Sequence, residues 1–594
     1  MHLDNTLTDS LKENNTKPFW KYIKNLRQDN VGVAPIRSKG KLHTNSKSKA
    51  ELLNQQFQSV FTNEDHKEKL PDPAGRSYPT IDGLVITYEG VHKSLQKLNT
   101  SKAVGPDAIP NLFLKNTAPE SAKILQLIFR QSLQTGALPK DWREANISPI
   151  YKKGDRNLAQ NYRPVSLTSV SCKILEHIIV KHMLNHFDKH NILTKFQHGF
   201  RRGLSCETQL LETTSDLLKS LDAGERVDVA ILDFSKAFDT VPHRRLMTKL
   251  NHFGVKGNVH SWIRQFLQNI PQKVVVDGES SGEVRVASGV PQGTVLGPLL
   301  FLCHINDLPV HVNSHIRLFA DDCLLYRTIN CHEDHLILQR DLHALTVWTK
   351  TWGMSFNANK CYILPVNKSP IVQPFFYQLD NTILRYVQSY PYLGVTLQHD
   401  LKYGEHVNKI ACKAGKVLGL CQRNLKHCPQ KLKELAYFSL VRSMLDNCAS
   451  IWDPYLAADI RKLETIQRRA ARFVTRDYHR TSSVAGLLSR LEWPTLEERR
   501  RRARLVLLFK IKNQLVGINA DQHLIPADQR TRGGKSNYKH ILTKSAQQQN
   551  SFFPRTIRDW NCLPKHLRDN TKLDSFKSNL NSMPPKPGLR SRRD

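Results

Sequence analysis

In the stretch RLFADDCLLY (317–326), Asp321 and Asp322 stand side by side within an otherwise apolar run. Burying even one unpaired carboxylate is costly, so the pair belongs either to a hairpin tip in water or to a site that uses negative charge. A third acid, Asp233, closes the apolar run of VDVAILDFSKAF, the form of a strand buried on both faces. Such a strand beside an Asp-Asp turn would gather three carboxylates at one sheet edge. Two like charges about 4 Å apart repel by roughly 4 kcal/mol at an effective dielectric near 20, so the three need a cation if they are to be ionised together. Magnesium suits the donors, being a hard ion held by one or two carboxylates plus substrate phosphates. Two such ions could activate an attacking hydroxyl and stabilise a leaving pyrophosphate.

The elements that would position these acids follow from periodicity. Residues 86–226 read as mainly helical, as in SAKILQLIFRQSL and CKILEHIIVKHMLNHF. Between 227 and 398 short strands alternate with helices. QKVVVDGESS predicts a hairpin about Asp277-Gly278, and Leu338, Leu342, Leu345, Trp348 and Trp352 mark the core stripe of a helix over 335–352. After residue 403 the pattern is helical, with apolar faces through Val407–Cys421 and Ile460–Phe473. The first 85 residues, with LPDPAGRSYPT at 70–80, read as a linker or adaptor.

The chain of 594 residues carries 87 Lys and Arg against 53 Asp and Glu, a net charge of +34. That excess exceeds what solubility needs and implies a polyanionic partner, nucleic acid first, because released counterions drive its binding. Arg468, Arg469 and Arg472 ride on one basic helix, and Arg499, Arg500, Arg501 and Arg502 on the next. They are expected to track a nucleic-acid backbone, against the alternatives of a solvated face or a nuclear-import address. The eleven cysteines form no CxxC pair, so reduced thiols are expected, and no apolar run is long enough for a membrane span. An intracellular protein, nuclear or in a cytoplasmic ribonucleoprotein, is the expectation.

Nine short blocks follow one another in a fixed order: KAVGPDAIP, ISPIYKKGD, NYRPVSL, GFRRGLSCETQL, ILDFSKAFDTVPH, SGVPQGTVLGPLLF, FADD, FNANKC and YLGV. Together they resemble the reverse transcriptase of non-long-terminal-repeat retrotransposons of the jockey and chicken-repeat group. The resemblance implies an α+β right-hand polymerase with a mixed palm sheet and a basic helical C-terminal region. Its expected divisions are a linker or adaptor (1–85), fingers (86–226), palm (227–398) and helical thumb with basic C-terminal region (399–594). By the same resemblance Asp233 and Asp321 would hold two Mg2+ ions, with Mn2+ able to substitute, beside Asp322 and the Phe234 carbonyl. Phe238 would exclude a 2′-hydroxyl, and Pro291, Gln292 and Gly293 would abut the incoming nucleotide. Arg163 and one of Lys152 and Lys153, with Lys152 preferred, would grip the triphosphate. Lys360 would act as general acid toward pyrophosphate, and Tyr392, Leu393 and Gly394 would grip the primer.

The implied partners are an RNA template, a DNA primer and dNTPs. In this family an endonuclease usually precedes the polymerase; the stretch before the first block is too short for one, so target nicking is expected from elsewhere. An RNA-templated RNA polymerase orders its acids similarly, but Phe238 and the PQG loop weigh against it. A non-catalytic nucleic-acid-binding protein or element remnant is the alternative from another class.

Overall fold

The computed structural model describes residues 2–13, 15–26, 32–62, 64–65, 67–73, 75–268, 271–368, 374–527 and 536–584, and the fold is a mixture of helices and sheets. Its larger elements are arranged around two five-stranded sheets.

The first sheet is built on Ala145–Tyr151, which pairs antiparallel with Tyr162–Leu167 and parallel with Pro271–Val276. The latter strand turns back at Asp277-Gly278 to pair with Glu279–Ser280. Both turn residues have positive φ, 50° and 89°, the conformation that matches the right-handed twist of a two-residue hairpin and that Asp-Gly adopts readily. The predicted hairpin is therefore present. It folds with the strands of 145–167, not with the strands that carry the acids. Helix Ser46–Gln58 packs Ala50, Leu53 and Phe57 against Val274 and Val276 of this sheet.

The second sheet runs Arg385–Tyr386, Tyr362–Val366, Arg226–Asp233, Asp322–Ile329, His315–Phe319, with Arg226–Asp233 at its centre. Alternate residues of that strand enter different cores. Val227, Val229 and Ile231 join a cluster that continues through Leu418, Trp452 and Phe509, while Ala230 and Leu232 join one containing Phe301, Leu338 and Trp348. Side chains alternate across a strand, so burial on both faces is what makes the run continuously apolar. Its one interior acid, Asp228, is fully buried and compensated. Arg226 donates to both its oxygens at 2.7 and 2.8 Å, and the Tyr377 hydroxyl donates at 2.9 Å.

Helix His332–Trp352 covers one face of this sheet with the predicted stripe, all five residues of which are buried. Helices Gly404–Asn424, Ala457–Thr475 and Leu496–Lys512 form the other side, and among the described residues no strand follows Val395–Gln398. Helices His2–Lys12 and Lys17–Leu26 bury Leu7, Leu11, Phe19 and Ile23 in the same core as these C-terminal helices. The expected linker is thus in part core-forming. All eleven cysteines are free thiols, and no described helix is long and apolar enough to cross a membrane.

Candidate active site

Asp233 ends the central strand, and Asp322 opens its neighbour directly opposite: the antiparallel register pairs Asp322 with Asp233. Opposed residues project from the same face of a sheet with Cα atoms about 4.5 to 5.5 Å apart. Asp321 precedes Asp322 in a two-residue turn after Phe319, where Ala320 takes φ 52°. The turn is held from outside. Gln197 Oε1 accepts from the Ala320 amide at 2.9 Å and from the Gly199 amide at 2.7 Å. A Cβ on Gly199 would lie 2.4 Å from the Ala320 nitrogen, so only glycine lets this loop lean on the turn.

Two of the three carboxyls hold their protons more tightly than a free side chain would. Asp322 keeps solvent-exposed surface, yet burial of its surroundings, then Asp321 and Asp233, push its carboxyl up to about 6. Asp321 is raised chiefly by burial, with Asp233 adding to the shift. Among the described residues no group of three or more His, Cys, Asp and Glu side chains is arranged to hold a metal ion. The opposed Asp233 and Asp322 carboxylates are hard oxygen donors, the type magnesium takes together with water and phosphate oxygens.

Cations surround the acids. Lys360 Nζ lies 3.7 Å from Asp233 Oδ2, on a turn whose Asn357 amide donates to the Asp233 carbonyl at 2.7 Å. Lys152 and Arg163 reach in from the first sheet, where Arg163 pairs across from Ile150. Burial and the charges of Arg163 and Lys360 lower the Lys152 pKa. The charges of Lys152 and Arg163 both pull the Asp321 carboxyl down against its burial, and that of Lys152 does the same for Asp322.

Phe238, half-buried, stacks on Phe301 at 4.4 Å and meets Phe200 edge-on at 6.3 Å. Its carbonyl accepts from the Val290 amide at 2.7 Å, bringing the PQG loop alongside. In that loop the Gln292 carbonyl accepts from the Ser166 amide at 2.7 Å and Gln292 Nε2 donates to Asp239 Oδ1 at 2.7 Å. Gly293 has φ 103°, and a Cβ there would sit 2.8 Å from the Ser166 carbonyl oxygen. A cavity of about 50 Å³ lies behind Phe238 and Gln292, but none of the three carboxylates lines it.

A family model described as reverse transcriptase (RNA-dependent DNA polymerase) matches residues 150–397, the span containing both halves of this site. Residues 150–397 are thus similar in sequence to reverse transcriptases. Similar curated proteins include the RNA-directed DNA polymerase from mobile element jockey of Drosophila melanogaster, 31% identical over 358 residues, 58% of this chain and 38% of that protein. The probable RNA-directed DNA polymerase from transposon BS of the same organism is 27% identical over 488 residues, 77% and 53% of the two chains. The probable RNA-directed DNA polymerase from transposon X-element of Drosophila melanogaster is 27% identical over 408 residues, 65% and 43%. The chain spans about half or less of the length of these relatives. The resemblance of the nine blocks to non-long-terminal-repeat elements is borne out.

Within this span the structure brings together Asp233, Asp321, Asp322, Lys152, Arg163 and Lys360, with Phe238, Pro291, Gln292 and Gly293 along one side. The Phe234 ring is buried and stacks on Phe356 at 4.4 Å. The Tyr392 ring is buried in the core, with its hydroxyl accepting from Gln209 Nε2 at 3.1 Å. Leu393 and Gly394 form the tip of the hairpin, with φ 47° and 85°.

Within the arginine run, Arg500 departs from the expected backbone track while its neighbours stay partly exposed. Arg500 is buried, with Nε 2.7 Å from Asp453 Oδ1. Arg499 pairs with Asp446 at 2.5 Å, and Arg501 and Arg502 both pair with Glu498 at 2.7 Å. Four successive residues sweep most of a helix's circumference, so one had to face inward, where acids were waiting. Arg468 and Arg469 are exposed, whereas Arg472 is partly buried and donates to the carbonyls of Asp477, His479 and Ser482.

Sequence reasoning missed Gln197, Asp239 and Glu176. Asp239 lies inside the block ILDFSKAFDTVPH and Gln197 two residues before GFRRGLSCETQL, which was the available signal. Glu176 sits in an amphipathic helix with nothing nearby to mark it.

Proposed function

We propose that this chain is an RNA-directed DNA polymerase that adds dNTPs to a primer 3′-hydroxyl on an RNA template, in the service of a retrotransposon. The carrying observation is the pairing of Asp322 with Asp233 across adjacent strands, with Asp321 in the intervening turn, inside a span similar to reverse transcriptases. In this reading residues 86–226 and the 271–285 hairpin are the fingers, the rest of 227–398 the palm, and 399–594 the thumb and a helical C-terminal region. Residues 1–85 brace both ends.

Asp233 and Asp321, with Asp322 and the Phe234 carbonyl nearby, would hold Mg2+ or Mn2+, which supplies Lewis-acid stabilisation of charge on the phosphates. The chain's own groups do the rest. Arg163 and Lys152 bind the triphosphate, the planar guanidinium suiting paired phosphate oxygens. The Phe238 ring occupies the space a 2′-hydroxyl would need, and residues 291–293 fix the nucleotide's position. Lys360 holds a proton where pyrophosphate leaves. Leu393 and Gly394 lie along the primer, and exposed Arg468 and Arg469 contact phosphates.

The test is extension of a DNA primer on an RNA template with dNTPs and magnesium. Wild type should extend, and Asp321→Ala should bind the template-primer equally and lose extension. Equal extension by both would overturn the assignment.

A further inference from the structure

A buried acid outside the proposed machinery has a direct line to it. Glu176, in helix Val170–Lys189, is fully buried. Its Oε2 accepts from the Val295 amide at 2.7 Å and the Leu296 amide at 2.9 Å, the first N–H groups of helix Leu296–Ile305. Its Oε1 is buried and meets no oxygen or nitrogen donor among the described residues, its one polar neighbour of note being the buried Cys172 thiol of the same helix. Two amides could be satisfied by a neutral cap at far less desolvation cost. Burial pushes this carboxyl up to about 7 against the pull of the two amides.

What the acid grips is continuous with the PQG loop. The Thr294 hydroxyl donates to the Pro291 carbonyl at 2.8 Å and accepts from the Gly297 amide at 3.2 Å. A Cβ on Gly297 would lie 2.7 Å from the Pro291 oxygen, so residues 291–297 form one compact unit. That unit is tied to the segment bearing Phe238 through Val290 and Asp239, and to the strand bearing Arg163 through Ser166. Glu176 supplies the third anchor, from behind.

We propose that Glu176 is a positioning residue for nucleotide binding: by capping helix Leu296–Ile305 it fixes where Pro291, Gln292 and Gly293 stand relative to Phe238 and Asp233. The kinetic part rests on the polymerase reading above; the anchoring part does not. Asp341 provides a matched control. It is likewise buried and accepts from two backbone amides, Asn313 at 3.0 Å and Ser314 at 2.8 Å, in another loop.

The experiment compares full-length wild type, Glu176→Gln, Glu176→Ala and Asp341→Ala by amide hydrogen exchange and by primer extension on an RNA template with one dNTP varied. Glu176→Ala should speed exchange across 289–297 and raise KM for the dNTP about tenfold, with kcat changed less than threefold. Glu176→Gln, which keeps one acceptor, should recover most of the KM. Asp341→Ala should speed exchange near 313–314 and leave KM alone. Unchanged exchange at 289–297, or a KM shift no larger than that of Asp341→Ala, would overturn the positioning role. Faster exchange at 289–297 in a protein whose wild type makes no DNA would uphold the anchor and reject the polymerase reading.

Discussion

Neutralising Arg468 and Arg469 together as glutamine should weaken RNA binding and flatten its salt dependence, whereas Arg500→Gln should do neither. The first pair is exposed on helix Ala457–Thr475. Each phosphate contact releases counterions, contributing about 0.7 to 0.9 to the slope of log affinity against log salt, so losing two contacts should reduce the slope by about 1.4 to 1.8. Arg500 is buried against Asp453, which also receives Arg504 Nε at 3.0 Å and Arg555 Nη1 at 3.2 Å. Removing one charge-assisted bond there should cost about 1.5 to 3 kcal/mol of stability. Asp453→Ala, which leaves buried guanidinium groups without their shared carboxylate, should cost about 3 to 5 kcal/mol. Filter binding of RNA from 50 to 300 mM salt, on the order of the range over which such slopes are read, measures the first effect, and urea unfolding of the same proteins the second. A salt slope that falls by about one unit in Arg500→Gln, with the unfolding midpoint unmoved, would refute the assignment of this arginine to the core.

Other expectations follow from named contacts. His406 accepts from the Thr396 amide through Nδ1 at 3.2 Å, and burial holds its pKa down to about 4. Its folded pKa lies below the unfolded value, so the unfolded state binds the extra proton and stability should fall as pH drops from about 6.5 to 4. The loss should be on the order of 3 kcal/mol relative to His406→Phe in urea titrations; parallel pH profiles for the two proteins would reject this. Phe238→Val should raise ribonucleotide incorporation at least tenfold relative to deoxynucleotide, measured in single-nucleotide extension; an unaltered ratio would remove Phe238 from sugar discrimination. Lys152→Ala should raise KM for dNTP several-fold more than Lys153→Ala, and the reverse order would reassign the triphosphate contact.

The chemistry was legible where function and local pattern coincide. Asp233 closes a buried strand, Asp321 sits in a turn and Asp322 opens the strand after it, and both signals survive in short words of sequence. The Asp277-Gly278 hairpin was legible because its turn residues demand positive φ, but its sheet was not: pairing with Ala145–Tyr151 is a long-range choice no local word specifies. The same distance hid the fate of the arginines, since a helix run reports its own charge and not that Asp446 and Asp453 lie against it. At Tyr392 a motif position says where the backbone turns, and that the ring is taken up by the core beneath is not legible in it.

The packing of the first helices against the last third of the chain has a biosynthetic consequence. Leu11 lies under Ser439, whose hydroxyl donates to its carbonyl at 3.3 Å, and helix His2–Lys12 rests on Gln430–Ala436. A ribosome adding roughly 5 to 20 residues per second delivers the second surface tens of seconds after the first. Through that interval Leu7, Leu11, Phe19 and Ile23 are sticky and unsheltered, so a translation product halted before residue 430 would present them to chaperones and proteases as a standing mark of incompleteness.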